Sequence, residues 1–410
     1  MLKKSHLVLL MFSVVMTLIV FSNVARSQEV STAGGNTGKT EAGPATFEEA
    51  VAELSKLGPK NKTFFDAIMP FRNVTGKMHT LVTEYQTATP ERKDQIQAEY
   101  EKLLPEAEKL RKNMVGAAIE AFNETPYKNY IVTDFCVSMV FYEKSRDNHE
   151  VSFKIAEALF ADPSSLDEQA GDLYEAAADA AFGCMQLEKA EQWYAKAIAF
   201  KSRLEREAMA NNSMVPELKK LWLEEQQIRE QEAKNDNLPR VLIRTNKGDI
   251  VLELFEDSAP NTVANFIYLV KLGFYKDVPF HRVLPGFMAQ GGDPTGSGSG
   301  GPGYAIDCEC YPKQGQPTPR KHFRGSISMA NAGRDTNGSQ FFLMFQPVTY
   351  LNGKHTVFGR VVEGIEVLAD IQRIDPDDEV IMVEPDRILE AKVLRDRGHT
   401  YEPVKNRNRR

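Results

Sequence analysis

The chain reads as two folded parts, an all-α N-terminal domain followed by an antiparallel β domain, and three observations lead there. Its 410 residues exceed the length of one ordinary domain. From Thr46 to about Asp236 apolar residues recur at spacings of three and four, the period of a helix with one buried face. From Val241 onward the period becomes two and glycine-rich turns intervene, as in strands with one face in a core.

Residues 1–27 stand apart from both. Lys3 and Lys4 precede an apolar run from Leu7 to Phe21, and Ala25-Arg26-Ser27 offers small residues ahead of Gln28. This pattern is that of a secretory signal peptide and predicts an exported, periplasmic protein. The run is shorter than the ~20 apolar residues that span a bilayer, and an uncleaved N-terminal anchor is the alternative. No other stretch is apolar enough to cross, so no membrane contact beyond this segment is expected. Residues 28–45, rich in Gly, Thr and Ser, read as a flexible linker. The formal charge of −7 becomes −10 once Lys3, Lys4 and Arg26 are removed, an acidic balance that argues against nucleic acid as a partner.

Residues 46–236 form the helical domain. Ile96, Tyr100, Leu103, Ala107 and Leu110 mark one helix face, and Leu187, Ala190, Tyr194, Ala197 and Ile198 another. Pro59, Pro70, Pro90, Pro105 and Pro126 punctuate the region, and Pro105 is expected to kink or restart a helix. Ala177, Ala178, Ala181, Ala190, Tyr194 and Ala197 fall at the small and aromatic positions of a tetratricopeptide-like (TPR-like) helix pair, a weak resemblance because the period is irregular and the usual glycine is missing. A helical bundle is the plainer reading. Stacked repeats would give a groove for a protein partner. Glu224 to Asp236, nearly all charged or amide, reads as the solvated end of a long helix running into a linker near Asn237–Pro239.

Residues 237–397 form the β domain. Val241, Ile243 and Thr245 alternate, then Ile250, Leu252 and Leu254, around the turn Asn246-Lys247-Gly248-Asp249, which predicts a hairpin. Pro260 to Leu272 predicts an amphipathic helix with Val263, Phe266, Ile267 and Val270 inward, and a second helix is expected around Ile365–Ile371. Residues 398–410, with Lys405, Arg407, Arg409 and Arg410, read as a basic tail.

Four cysteines are few for an exported chain, so disulfides are not its main support. Cys136 and Cys184 can pair, whereas a bridge within Cys308-Glu309-Cys310 would be strained, and free thiols or a soft-metal site are the alternatives there. Gly296 to Gly301 satisfies a GxGxxG pattern but is followed by Pro302 and Gly303 rather than a helix, so it predicts a flexible loop and no dinucleotide. Asn61, Asn73, Asn123, Asn211 and Asn337 each open an N-x-S/T sequon.

The chemistry concentrates in FHRVLPGFMAQGGD, Phe280 to Asp293. Arg282 donates hydrogen bonds but cannot act as a base, Gln290 both donates and accepts, and Phe287 and Met288 offer apolar surface. With no nucleophile in the set, it suits a site that acts on a peptide bond without breaking it.

Together with SMANAGRDTNGSQFF (Ser328–Phe342) and YLNGKHTVFG (Tyr350–Gly359), this segment resembles the cyclophilin family of peptidyl-prolyl cis-trans isomerases in both order and spacing. The resemblance covers roughly Pro239 to Arg395. It implies a closed eight-stranded antiparallel β-barrel with a helix capping each end, the active groove on its outer face, and proline-containing polypeptides as clients. It implies Arg282 as the catalytic arginine, with Phe287, Met288, Phe342 and Leu351 as the proline pocket. Gln290, Asn331 and Gln340 are implied to fix the substrate backbone, and Ala330 and His355 to complete the groove. No metal and no cofactor are implied. Two departures stand out. Tyr350 occupies a position where many eukaryotic members carry a tryptophan that contacts cyclosporin, which implies weaker cyclosporin binding, and Arg334 replaces a more usual proline.

Overall fold

The computed structural model describes residues 46–162, 170–312, 317–376 and 384–406. The signal peptide and linker expected over 1–45 lie outside these residues. No helix among the described residues is long and apolar enough to cross a membrane. The chain divides into two compact units, residues up to 141 with 154–167, and residues 142–153 with 168 onward.

In the first unit α1 (Phe47–Leu54) opens on a capping box between Thr46 and Glu49, and α2 (Pro59–Thr87) and α3 (Pro90–Glu124) each open on a proline whose missing N–H costs nothing there. Val74, Met78 and Val82 of α2 pack with Tyr100 and Ala107 of α3. Pro105 does not restart a helix. It lies inside a continuous α3, between two residues buried in that seam, so tertiary packing offsets a local cost of roughly 3 kcal/mol. Next come α4 (Tyr130–Ser145) and α5 (His149–Leu159), whose joining turn belongs to the second unit.

The second unit continues with α6 (Gly171–Gly183), α7 (Leu187–Ala199) and α8 (Glu205–Asn235). Ala177, Ala178, Ala181, Ala190, Tyr194 and Ala197 are fully buried, and the alanines among them let α6 and α7 approach closely. Helices here end without the glycine that usually takes the left-handed position. Asp147, Met185 and Lys201 take it instead, at φ 60°, 64° and 51°, and the next residue's N–H donates back to Glu143, Ala181 and Ala197 respectively.

The acidic end of α8 is mostly exposed, as its composition suggested, but one side of it is not. Glu225 is buried and takes Arg320 in a two-pronged ion pair at 2.6 and 2.8 Å. Glu232 also pairs with Arg320, and with Arg360 at 2.9 Å, while Arg360 reaches Glu253 at 2.6 Å. The guanidinium of Arg320 lies over the Phe255 ring at 3.7 Å, and Trp222 of α8 packs edge-on against Phe323.

The sheet comprises β1 (Arg240–Thr245), β2 (Gly248–Leu254), β3 (Val278–Pro279), β4 (Arg282–Leu284), β5 (Met288–Gly291), β6 (Ser326–Met329), β7 (Phe341–Met344), β8 (Val357–Glu363) and β9 (Arg387–Arg395). Their order is β3-β9-β1-β2-β8-β6-β7-β5-β4, all antiparallel, so the expected closed eight-stranded barrel is a nine-stranded half-barrel. Closure fails for a local reason. β3 is two residues long and ends in Pro279, which has no N–H to give, while the outer edge of β4 is taken by Ile374, which exchanges both hydrogen bonds with Val283.

The β1–β2 hairpin turns at Asn246–Lys247 as the alternation predicts. α9 (Pro260–Lys271) buries Val263, Phe266, Ile267 and Val270 against Ile243, Leu252, Phe341 and Phe358, and the second helix is a single turn, α10 (Val367–Asp370). Tyr401, within the stretch read as a tail, is buried in this same core. All four cysteines are free, so the Cys136–Cys184 pairing does not form.

Removing one partner of a buried ion pair strands the other. Arg320→Ala is expected to lower the unfolding free energy by about 3–5 kcal/mol in urea titrations of the full chain, against under ~1 kcal/mol for an exposed pair such as Lys62–Asp66.

Candidate active site

Antiparallel pairing places the site residues in one row. Arg282 of β4 faces Gln290 of β5, Gln290 faces Phe342 of β7, and Phe342 faces Ser328 of β6. Directly opposed residues share a sheet face, with Cβ atoms ~4.5–5.5 Å apart. The neighbouring row, Val283, Ala289, Leu343 and Ile327, points the other way into the main core. On the site face a second apolar cluster forms from Met288, Phe342, Met344, Val348 and Leu351, with Leu284, Phe287 and Ala330 against it.

A cavity of about 150 Å³ opens there, lined by Arg282, Phe287, Met288, Gln290, Ala330, Asn331, Phe342, Leu351 and His355. Nine of the eleven residues singled out in the sequence thus share one cavity. Gln340 and Tyr350 do not line it. The Gln340 Nε2 donates to the Gly298 and Gly300 carbonyls, both at 2.9 Å, and its Oε1 accepts from Gln290 Nε2 at 2.9 Å, so Gln340 ties Gln290 to the glycine-rich loop. Tyr350 is exposed and stacks on Phe287 with centroids 6.3 Å apart.

Arg282 is half-buried, and its guanidinium makes no hydrogen bond or ion pair among the described residues. A desolvated cation with unused donors beside an apolar seat is poised for a polar ligand atom. Gln290, its Nε2 engaged, likewise keeps its Oε1 free to accept an N–H. Asn331 is held by its own side chain, whose Nδ2 donates to Asn337 Oδ1 and the Lys354 carbonyl, both at 3.2 Å.

Phe342 lies between two imidazoles. His322 stacks on it at 5.9 Å and 14°, and His355 meets it edge-on at 5.4 Å and 79°. Burial lowers the pKa of both, and that of His322 to about 4. His355 Nδ1 donates to the Met329 carbonyl at 3.0 Å, which fixes its ring as groove wall. His322 carried no signal in the sequence, and Asn352, although inside YLNGKHTVFG, was given no role there. The Asn352 Oδ1 accepts from both the backbone N–H and Nδ1 of His322, so Nε2 is left to accept from Ser328 Oγ at 3.0 Å. The row residue Ser328 is thereby fastened to the ring behind Phe342.

The loop from Asn331 to Asn337 is tied to the cysteine segment. The Asp335 N–H donates to Cys308 Sγ at 3.2 Å, and a hydrogen bond with Cys310 together with that N–H lowers the pKa of the Cys308 thiol. Arg334 pairs with Asp335 at 3.3 Å and covers the Tyr311 ring at 4.8 Å. Among the described residues no cluster of His, Cys, Asp or Glu is arranged to hold a metal ion.

Comparison with known proteins completes the picture. Residues 240–393 match the family model described as cyclophilin type peptidyl-prolyl cis-trans isomerase. A peptidyl-prolyl cis-trans isomerase of Helicobacter pylori is 54% identical over 141 residues, which are 34% of this chain and 83% of that protein. The chain belongs to the cyclophilin-type isomerases. Peptidyl-prolyl cis-trans isomerase B of Bacillus subtilis is 50% identical over 131 residues, 32% of this chain and 88% of the relative. A Synechococcus elongatus isomerase is 43% identical over 161 residues, 39% of this chain and 99% of the relative. The row of Arg282, Gln290 and Phe342 lies inside the cyclophilin match, and helices α1 to α8 lie outside it.

The His322 ring gives the cyclophilin unit a defined acid sensitivity. A pKa lowered from 6.5 to about 4 means the unfolded chain binds the proton first. The stabilisation is therefore complete above pH ~6.5 and lost as pH falls toward ~4, by at most roughly 3 kcal/mol. Urea midpoints of the native chain minus those of His322→Gln are expected to narrow over that window, whereas a difference independent of pH would show that His322 does not titrate there.

Proposed function

We propose that this cyclophilin accelerates isomerisation of X-Pro bonds in exported polypeptides as they fold, with Arg282 acting on the twisting amide and the helical domain holding or recruiting the client. The observation that carries the reading is the unpaired, half-buried guanidinium of Arg282, set in one row with Gln290 and Phe342 above an apolar seat. The export context rests on the composition of residues 1–27.

An X-Pro bond faces a barrier of roughly 18–20 kcal/mol because the nitrogen lone pair delocalises into the carbonyl. As the bond twists, the lone pair localises and the nitrogen can accept a hydrogen bond. A donor aimed at that nitrogen binds the twisted state better than either planar state, and that difference is what accelerates the reaction. Arginine suits the task because it stays protonated at any working pH.

A thousandfold acceleration needs about 4 kcal/mol, and one charge-assisted hydrogen bond contributes roughly 1.5–3 kcal/mol. Arg282 therefore works with a seat. In this reading Phe287, Met288, Phe342 and Leu351 hold the proline ring while Gln290 Oε1 and the Asn331 backbone hold the flanking peptide. The apolar walls keep water from weakening these contacts. Tyr350, exposed at the rim, is the position through which weaker cyclosporin binding is expected.

The test is catalysed isomerisation of a proline peptide by the full chain and by Arg282→Ala. The variant is expected to lose about 10- to 150-fold in kcat/KM, the equivalent of one charge-assisted bond. Equal rates would remove Arg282 from the chemistry. The same variant is expected to keep its suppression of client aggregation, since the helical domain is untouched, and loss of both together would contradict the division of labour.

A further inference from the structure

The edge strand β4 carries Arg282, yet it is three residues long and has one strand neighbour, β5. Something else must hold it in place. Two of its supports converge on a single buried carboxylate from outside the cyclophilin match, that of Asp147, in the turn between α4 and α5.

Asp147 Oδ1 accepts the N–H of Gly286 at 2.8 Å. Gly286 is the middle of the loop Pro285-Gly286-Phe287 that joins β4 to β5, and its carbonyl accepts from Gln346 Nε2. Asp147 Oδ2 takes Arg373 Nη2 at 2.7 Å. Arg373 precedes Ile374, whose backbone gives and takes a hydrogen bond with Val283, the residue after Arg282, at 2.7 and 2.9 Å. One carboxylate thus grips the end of the hairpin and, through Arg373, the strand-like segment along its outer edge. Arg146 of the same turn pairs with Asp370 at 2.8 Å, and Glu150, in the first turn of α5, takes Arg324 by two bonds of 2.8 Å. Asp147 is 1% exposed and held at φ 60°, a conformation that aspartate tolerates better than most side chains.

We propose that Asp147 is a positioning residue for the isomerisation, fixing through Gly286 and Arg373 the hairpin that presents Arg282, Phe287 and Gln290. The α4–α5 turn is then part of the catalytic apparatus, and relatives that contain only the cyclophilin match must brace this hairpin in another way. The inference rests on the assignment of Arg282 to the twisting amide.

The experiment measures peptide isomerisation by the full chain carrying Asp147→Gly, Asp147→Asn, Arg282→Ala, and each Asp147 change combined with Arg282→Ala. Glycine removes the carboxylate without straining the left-handed backbone, and asparagine keeps one acceptor oxygen for two donors. The glycine variant is expected to lose about tenfold in kcat/KM, mostly in kcat, the asparagine variant about threefold, and both to expose the Gly286 amide to faster hydrogen exchange. In the Arg282→Ala background the Asp147 losses should nearly vanish, an interaction that a purely structural role would not produce. If the glycine variant fails to fold, the asparagine pair decides. Asp147 variants that fold with native kcat/KM, or losses that simply multiply with that of Arg282→Ala, overturn the proposal. Native rates in Arg282→Ala alone would instead overturn the assignment of Arg282.

Discussion

Everything at the site depends on strand register. Because side chains alternate across a sheet, the pairing of Arg282 with Gln290, of Gln290 with Phe342 and of Phe342 with Ser328 aligns donor, acceptor and apolar seat on one face. The same pairing drives Val283, Ala289, Leu343 and Ile327 into the core. A slip by one residue would bury the arginine and expose four apolar side chains. The folding free energy of the core therefore enforces the geometry of the groove, and no separate device is needed to keep Arg282 outward.

What register does not supply is stiffness at the edge. The half-barrel ends on β4, and the groove sits close to that end. Polar supports accumulate around it: Gln340 bridging Gln290 to the glycine-rich loop, His322 and Asn352 fastening Ser328, and Asp147 gripping Gly286. Most of these groups are buried or half-buried, where an unmet hydrogen bond costs about 1–3 kcal/mol, so each partner is held to a narrow geometry. Glu225 and Glu232 of α8 act in the same sense on Arg320, two residues from His322.

Much of this was legible in the chain. Period-two alternation located β1 and β2 and the turn between them, and three short motifs brought nine residues to one cavity. Those motifs are readable because the chemistry needs unusual combinations, a lone arginine between aromatics and amides, at fixed strand positions. The supports were not legible. His322 and Asp147 belong to no local pattern, and Asn352, although inside YLNGKHTVFG, acts like them on a partner distant in sequence through one or two hydrogen bonds. Composition was right for most of Glu224–Asp236, which is exposed, but it hid the buried Glu225 and the half-buried Glu232, whose arginine partners lie about a hundred residues onward. The barrel's failure to close depends on Pro279 and on Ile374 occupying the edge of β4, which a motif cannot convey.

In the proposed mechanism the row acts as a group, with the arginine effective only when the proline ring is seated on Phe342. A double-mutant cycle on kcat/KM with Arg282→Ala, Phe342→Ala and the pair tests it most directly. The double variant is expected to lose far less than the product of the two single losses, because either change alone already disables the same contact. Losses that multiply would mean that the two side chains contribute independently, and would contradict the mechanism.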